Sequence, residues 1–364
     1  MTHAMTVELH RHFEAGIRPG LIARLAAKHG ITNVRTRAGT VVAGIDPQDP
    51  DQIRRYYRDI AAGFVAPGGF ARFVDSFGLP LSVLRTLEDL ETAVFDQLAD
   101  CADAGSLHTE LRGSPFSYQE HLKAPIDEIA EALLRGVDRA WSERGVSGTF
   151  IFAFSRQKGL GEQSAPPVQR QAALIAELAA RRHRTDRPVG LDIAGFPEVP
   201  FPPRAFEQAL APAREAGVPL TVHAGEQGVP PDYADAPPEI VVEAVERLGA
   251  RRIGHGTALA GSREAREVMK ARGIGIECCP VSNHRMGFMP IAQHPLKQFL
   301  EEGLLVSIST DDPLMFGPFS VQQTFDAIEA PLGLVPADLA TLTRHAIETA
   351  FVSDARRHHL RAQL

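Results

Sequence analysis

Eight short apolar runs divide this chain, and each of them stops at a cluster of polar residues or glycines. The runs are residues 6–10, 106–114, 149–155, 189–195, 220–226, 252–256, 273–280 and 304–312. Helix-like stretches lie between them. Strands that alternate with helices pair in parallel, and eight such units close into a (β/α)8 barrel. We therefore predict the α/β class and a TIM barrel, with an active site at the carboxyl ends of the strands.

The helix-like stretches are clearest in the second half of the chain, at residues 202–217, 238–250, 262–273 and 294–303. An open, doubly wound sheet is the alternative fold, but no GxGxxG motif follows the first run. The interval 17–105 is much longer than the others. We expect it to insert extra helices after the first strand, beside the mouth of the barrel. Because no linker separates a second unit, we expect residues 1–364 to form one domain.

Composition and charge favour a small-molecule partner. Of 364 residues, 44% are hydrophobic and 23% are charged, as in an ordinary globular protein. The net charge of −7, without a basic stripe, argues against nucleic acid and against an anionic membrane as partners. No run reaches the ~18 apolar residues of a membrane helix, and the amino terminus lacks a signal-peptide pattern. Three cysteines (Cys101, Cys278 and Cys279) make no disulfide framework, so we expect a cytoplasmic protein. The sequence does not indicate an oligomeric state.

Metal ligands and proton-transfer groups follow the predicted strands. They are His10 and His12 on the first strand, His223 on the fifth, Glu226 on the loop after it, His255 on the sixth, and Asp311 and Asp312 on the eighth. Side chains two residues apart on a strand share a face. His10 and His12 can therefore both point into the barrel, while Arg11 points towards its wall.

Each of these motifs alone has an ordinary explanation. An HxH pair is common at exposed amino termini, a single histidine such as His255 is most often structural, and Asp311 and Asp312 before a proline are typical of a turn or a helix cap. The barrel, inferred from apolar runs alone, nevertheless brings all of them to one mouth. Three histidines and one aspartate suit Zn²⁺ and leave a position for water. Zinc lowers the pKa of such a water to ~7, which indicates hydrolytic attack on an electron-poor carbon.

Seven strings also resemble the adenosine deaminase family of the metal-dependent amidohydrolases. In chain order they are ELHRHFEAG, TELRGSP, GLDIAG, VHAGE, RIGHGT, ECCPVSN and SISTDDP. HAGE and STDDP are specific, and the set spans roughly residues 7–316. The resemblance implies zinc-dependent hydrolytic deamination of a 6-aminopurine nucleoside, of the adenosine-to-inosine type. Hydroxide would attack purine C6 and ammonia would leave.

The resemblance also implies roles for single residues. The ligands of one Zn²⁺ per chain would be His10, His12, His223 and Asp311. Glu226 matches the glutamate that protonates purine N1, which requires a pKa raised by a dry pocket. His255 and Asp312 match the pair that orients and deprotonates the attacking water. Gly195 matches the glycine whose N–H reaches purine N3. The resemblance thus implies that Gly195 contacts the substrate, and that Asp312 does so as well.

Departures from the familiar pattern leave the substrate open. Phe13-Glu14-Ala15 stands where adenosine-specific members have Leu-Asp-Gly, and an aspartate there contacts the ribose. A glutamate at this position is typical of relatives that act on adenine or on 6-aminodeoxyfutalosine, so we expect Glu14 to contact whatever the purine carries. The segment 229–239 lengthens the loop after HAGE and would reshape the pocket rim. The candidate substrates, in order of preference, are adenosine, 6-aminodeoxyfutalosine and free adenine.

Two other classes of function compete with this interpretation. One is a purine-nucleoside-binding barrel without activity, against which the complete set of expected catalytic residues argues. The other is an amidohydrolase with two metals bridged by a modified lysine, for which Lys158, beyond the third strand, is the nearest candidate.

Glu110 and Arg112 of TELRGSP form either a buried ion pair or a ligand contact.

Overall fold

The computed structural model describes residues 4–66, 68–156, 168–183, 189–195, 198, 201–226 and 235–364. Its strands are β1 (Thr6–His12), β2 (Val34–Arg35), β3 (Val41–Val42), β4 (Ser106–Gly113), β5 (Gly148–Ser155), β6 (Val189–Ala194), β7 (Leu220–Ala224), β8 (Arg252–His255), β9 (Gly275–Cys278) and β10 (Leu305–Ile308).

Helices follow most of these strands. They are α1 (Phe13–Gly16), α2 (Pro19–Lys28), α3 (Pro50–Ala61), α4 (Gly69–Ser76), α5 (Gly78–Val83), α6 (Leu87–Asp103), α7 (Phe116–Leu122), α8 (Ile126–Arg144), α9 (Val168–His183), α10 (Ala211–Glu215), α11 (Pro238–Leu248), α12 (Arg263–Ala271), α13 (Pro280–Arg285), α14 (Leu296–Glu301), α15 (Pro313–Phe316), α16 (Val321–Leu332), α17 (Pro336–Thr349) and α18 (Asp354–Arg361).

Eight of the described strands form one parallel sheet in the order β1-β4-β5-β6-β7-β8-β9-β10. The sheet curls round so that the chain after β10 meets β1. There Asp311 N–H donates to His10 O, and His12 N–H donates to Asp311 O, both at 2.9 Å. The predicted TIM barrel is confirmed, and this closure brings Asp311 beside the two histidines of β1.

Several predicted boundaries are wrong by a few residues. The first strand continues to His12, two residues beyond its prediction, whereas β10 ends at Ile308, so Asp311 and Asp312 lie on the following loop. The stretch 202–217 is not one helix. A 3-10 turn over Pro203–Phe206 precedes the short α10, because Pro212 has no N–H to continue a helix across this region.

The insertion after β1 contains the expected extra helices, α2 to α6. Helix α6 begins at a capping box, in which Thr86 and Asp89 satisfy each other's backbone N–H groups, and it packs against α8 and β4. The antiparallel β2–β3 hairpin was not predicted. It is only two residue pairs long, which is too short to leave a periodic signal in the sequence.

The interior of the barrel holds a buried ion network in addition to apolar side chains. Arg252 donates to Glu110 at 2.5 Å and to Glu277 at 2.6 Å, and Arg112 donates to Glu277 at 2.8 Å and to Asp192 at 3.1 Å. All five side chains are fully buried. Glu110 and Arg112 therefore belong to one network with other strands and are not paired with each other. Each charge needs its partners here, because burial removes the water that would otherwise solvate it.

Other expectations concern membranes and cysteines. Within the described residues, no helix combines the length and the apolar character needed to cross a bilayer. Cys101, Cys278 and Cys279 are buried free thiols, as expected from a sequence without a disulfide framework.

The side chain of Arg11 is buried and donates to Thr310 Oγ1 and to Gly16 O. It therefore points to the barrel wall, as its position between the two histidines predicted.

We predict that Arg252→Met lowers the free energy of unfolding by about 3–5 kcal/mol, because Glu110 and Glu277 would keep buried charges without their shared partner. Urea titration of both proteins measures the difference. The control is Arg272→Met, which removes an exposed pair with Glu246 and should leave stability unchanged. A loss below about 1 kcal/mol in Arg252→Met would show that the network does not depend on this arginine.

Candidate active site

A cavity opens at the carboxyl ends of the strands, where the sequence predicted the active site. The predicted residues that line it are His12, Glu14, Gly195, His223, Glu226, His255, Asp311 and Asp312. His10 lies beneath them and is fully buried, with ring centroids 4.6 Å from His223 and 5.0 Å from His255. The structure thus brings every predicted site residue to one place.

Three imidazoles and one carboxylate converge at the floor of this cavity. His12 Nε2 lies 3.3 Å from His223 Nε2 and 3.3 Å from Asp311 Oδ1, and His10 Nε2 lies 3.3 Å from the same oxygen. The ligand atoms of the three histidines all lie within 4.8 Å of one another. Atoms this close around one point can share a single cation.

The donor set fits a metal ion. Within the described part of the chain, the buried atoms His10 Nε2 and Asp311 Oδ1 have no hydrogen-bond partner. Burial lowers the pKa of His12 to about 3 and also lowers that of His223, so both are neutral and offer a lone pair at neutral pH. Burial would lower the pKa of His10 too, but Asp311 and Glu277 outweigh it and raise that pKa. Orphaned lone pairs beside a carboxylate are the arrangement that a cation would satisfy.

The ion network of the barrel interior holds two of these rings. Glu277 Oε2 lies 2.7 Å from His10 Nδ1, and Asp192 Oδ1 lies 3.1 Å from His223 Nδ1. A carboxylate on Nδ1 keeps the proton on that nitrogen and turns Nε2 towards the shared point. Nothing in the sequence indicated this role for Asp192. Its contact with His223 becomes visible only when strands β6 and β7 are paired.

Two of the site residues have strained backbones. His255 has φ 63° and Asp311 has φ 60°, in the left-handed region that residues with a side chain seldom adopt. Each turns the chain sharply at the end of its strand segment. Strain of this kind collects at functional sites, because the surrounding structure must hold it in place.

Adjacent aspartates have opposite electrostatic environments. Burial disfavours ionisation of both, but the adjacent imidazoles of His10, His255 and His12 hold the pKa of Asp311 well below its usual range. Burial and the negative charge of Asp311 raise the pKa of Asp312 well above it. The surroundings therefore favour the ionised form of Asp311 more than that of Asp312.

Glu226 is buried and has two close partners. Asn283 Nδ2 donates to Glu226 Oε1 at 2.5 Å, and His255 Nδ1 lies 3.2 Å from the same oxygen. Burial, followed by the charges of Asp311 and Glu198, raises the pKa of Glu226 well above its usual range. Sequence reasoning noted Asn283 in ECCPVSN but gave it no role. Only the placement of α13 against the strand ends reveals its contact with Glu226.

Glu14 also lines the cavity and is 6% exposed. Tyr118 OH donates to Glu14 Oε1 at 2.5 Å, which fixes one oxygen of the carboxylate. The sequence gave no signal for Tyr118, since it lies on α7, more than a hundred residues away. Gly195, another lining residue, has φ 81°, and its carbonyl accepts from Arg156 Nη1.

Cys279 also lies near the floor of the cavity, close to His10, His255 and Asp311. Burial raises the pKa of this thiol well above its usual range, and its Sγ faces Glu277 O at 3.7 Å. A neutral thiol is a poor metal ligand. The three histidines and Asp311 are therefore the better donor set.

Two features predicted from the sequence lie outside the described residues. They are Lys158 and the first six residues of the segment 229–239.

Comparison with known proteins identifies the family. The family model described as Adenosine deaminase matches residues 6–364. The chain belongs to the adenosine deaminase family. It is 31% identical to adenosine deaminase of Shewanella loihica over 98% of this chain and 97% of that protein. The adenosine deaminase of Serratia proteamaculans is 29% identical, over 97% and 96%.

Solved structures agree with this assignment. Adenine deaminase from Arthrobacter aurescens superposes with a TM-score of 0.78 at 26% identity, over 98% of this chain and 97% of that one. An amidohydrolase from Burkholderia ambifaria with bound Zn superposes with a TM-score of 0.75 at 23% identity, over 98% and 88%, and shows the fold alone. The chain is a hydrolytic deaminase that acts on a C–N bond, as the sequence predicted.

We predict a structural role for Glu198, a buried carboxylate that accepts the N–H groups of Gly225 at 2.8 Å and Glu226 at 3.3 Å. Glu198→Leu would leave both donors unsatisfied and remove the negative charge near Arg156, so we expect a loss of about 2–4 kcal/mol in the free energy of unfolding. Glu198→Gln is the matched control. It keeps an acceptor and should lose less than half as much in urea titration. Equal losses in the two variants would contradict this role.

Proposed function

We propose that this protein deaminates a 6-aminopurine nucleoside hydrolytically, with one Zn²⁺ per chain held by His10, His12, His223 and Asp311. The observation that carries the proposal is the convergence of these four donors beneath a cavity whose wall holds the buried carboxyl of Glu226. Three imidazoles and one carboxylate are a donor set that zinc favours. When bound, such an ion would supply a water that ionises near neutral pH.

Glu226 would bind the purine ring and donate a proton to N1. Because its pKa is raised by burial, the carboxyl keeps its proton at neutral pH and can transfer it when N1 approaches. A proton on N1 draws electron density from C6 and prepares that carbon for attack. Asn283 would hold the carboxyl in position through its 2.5 Å hydrogen bond.

His255 and Asp312 would handle the proton of the attacking water. Burial lowers the pKa of His255 well below its usual range, so the ring begins neutral and can accept a proton. His255 Nε2 lies 3.9 Å from Asp311 Oδ2, at the edge of the donor set, and Asp312 follows directly in the chain. The same proton can then pass to the departing amino group, which leaves as ammonia.

Glu14 and Gly195 would hold the rest of the substrate. Both line the cavity, with Gly195 offering a backbone N–H for purine N3 and Glu14 a carboxylate for the sugar. The cytoplasmic location and the single-domain organisation remain predictions that accompany this function.

An ammonia-release screen tests the function. The substrates are adenosine, 2′-deoxyadenosine, adenine, AMP, methylthioadenosine and 6-aminodeoxyfutalosine. We expect turnover of at least one nucleoside, about one zinc per chain by metal analysis, and loss of turnover after chelation that added Zn²⁺ restores. No turnover of any compound by zinc-loaded protein would favour the purine-binding alternative. Full activity in metal-free protein would contradict the proposed donor set.

We predict that Glu226→Gln keeps its metal and loses about 100-fold or more in kcat, because an amide cannot supply the proton to N1. His12→Ala is the matched comparison, since it should lose metal and activity together. Steady-state kinetics and metal analysis on the same samples measure both. Near-normal turnover in Glu226→Gln would assign the proton donor to another group.

A further inference from the structure

A second cavity opens at the amino ends of strands β5 to β8, on the face of the barrel opposite the candidate active site. Its lining includes Gly148 and Val189, the first residues of β5 and β6, and Pro219 and Arg251, which directly precede β7 and β8. Helix α8, the end of α9 and the start of α18 contribute further lining residues. The cavity has a volume of about 550 Å³, which lies within the range of small-molecule sites.

This cavity is positively charged, in a chain whose net charge is −7. Arg251, Arg356 and Arg357 line it, whereas Asp138 is the one carboxylate among the described lining residues. Arg357 is already engaged, because its guanidinium donates to carbonyl oxygens near the end of α17, among them Ala350 O at 3.0 Å. The side chains of Arg251 and Arg356 make no hydrogen bond or ion pair within the described part of the chain. Both are therefore available to a ligand.

Trp141 of α8 holds Arg356 in place. The guanidinium carbon lies 3.8 Å from the centroid of the indole ring, which is a cation–π contact. Burial lowers the pKa of Arg356, and no carboxylate among the described residues offsets this effect. A guanidinium that has lost part of its hydration without gaining a counter-ion is a suitable partner for an anion.

His183, the last residue of α9, brings a further polar atom to the lining. Its Nδ1 is buried and has no hydrogen-bond partner within the described part of the chain. Buried polar atoms in folded proteins are nearly always hydrogen-bonded. An imidazole N–H can donate to a phosphate oxygen, so a bound anion would satisfy this atom.

The side of the cavity that meets the barrel is fixed by Phe351. Its N–H donates to Glu110 Oε1 at 2.5 Å, and its carbonyl accepts from Thr149 Oγ1 at 3.2 Å. The guanidinium carbon of Arg252 lies 3.5 Å from the centroid of the Phe351 ring. A Cβ on Gly190 would stand 2.6 Å from Cδ2 of that ring, so the ring packs here only against glycine. This side of the cavity is therefore formed before any ligand enters.

Apolar side chains cover much of the remaining surface. Val137, Val146, Val189 and Pro219 line the cavity with Phe351, and together they form an apolar wall. A ring or a sugar can cover such a wall, whereas a bare anion cannot. Two guanidinium groups match the two negative charges of a phosphate monoester, with which arginine forms paired hydrogen bonds. The combination favours a phosphorylated molecule with an organic body over inorganic phosphate.

We propose that this cavity is a second ligand site, which binds a small phosphate monoester such as a nucleoside monophosphate. The phosphate binds Arg251 and Arg356, and the organic body lies against the apolar wall. The site is separate from the candidate active site, and the inference does not rest on the proposed function.

The fluorescence of Trp141 reports on this cavity directly, because Trp141 is the only tryptophan of the chain. The probe is uridine 5′-monophosphate, which has no 6-aminopurine for the proposed reaction to attack. Excitation beyond the absorption of tyrosine and uracil avoids interference. We expect a saturable change in fluorescence and an affinity about tenfold or more above that for uridine, which lacks the charge, and above that for inorganic phosphate, which lacks the organic body.

Arg251→Gln and Arg356→Gln should each weaken the binding of uridine 5′-monophosphate by about tenfold or more, because each removes a charge-assisted hydrogen bond. Arg344→Gln is the matched control, since Arg344 is an exposed arginine of α17 that does not line the cavity, and it should bind with the wild-type affinity. Isothermal titration calorimetry measures all three variants, because Arg356→Gln changes the surroundings of Trp141 even without a ligand.

His12→Ala separates this cavity from the one at the carboxyl ends of the strands. It alters the candidate metal site and should leave the affinity for uridine 5′-monophosphate unchanged. Loss of binding in His12→Ala would place the ligand in the other cavity and overturn the inference. Absence of binding, equal affinity for uridine or for inorganic phosphate, or an unchanged affinity in either arginine variant would overturn it as well. The ammonia-release screen tests deamination separately, so the two proposals fail independently.

Discussion

Two backbone hydrogen bonds between Asp311 and β1 close the barrel and assemble its floor at the same time. His10 and His12 come from the first strand and Asp311 from the loop after the last, so they meet only when the sheet has curled fully round. The closure requires Asp311 to adopt φ 60°. That strain is sustained because the carboxylate is held in turn by Ser282 and by the histidine rings. The fold and the candidate metal site thus depend on the same contact.

The buried ion network extends this dependence through the barrel. Hydrophobic side chains would fill the same space without the cost of desolvating five charges, and a buried ion pair is seldom more stabilising than such packing. The ion network instead serves to orient the histidine rings of the donor set. Glu277 binds Arg112, Arg252 and His10, and Asp192 binds Arg112 and His223. The positions of His10 and His223 therefore follow from those of the two arginines. Apolar packing could not orient an imidazole in this way.

The lining of the cavity comes from two parts of the chain. Barrel strands and their loops supply the donor set, Glu226 and His255, whereas the insertion after β1 supplies other lining residues, among them Arg37, Phe70 and Phe73. A barrel supports different reactions and substrates by changing loops around a constant frame. Glu14 lies between the two parts, held by Tyr118 of α7.

Much of the fold and of the candidate site could be predicted from the sequence alone, because the relevant patterns lie in short stretches of the chain. Eight apolar runs that end in polar residues predict the barrel. HxH, HAGE and STDDP predict which side chains lie at the carboxyl ends of its strands. Both predictions succeed because hydrophobic periodicity is a property of neighbouring residues. Boundaries failed where one residue overrides a pattern, as Pro212 does in the predicted helix 202–217. The β2–β3 hairpin left no pattern to detect.

The sequence by itself determined the fold and the family, and it predicted the site residues. Only the tertiary structure decided how those residues are supported. Asp192 reaches His223, Asn283 reaches Glu226 and Tyr118 reaches Glu14 across separations of 31, 57 and 104 residues. Such contacts depend on the register of paired strands and the packing of helices on them. Those quantities arise from the whole chain, and no short stretch of sequence contains them.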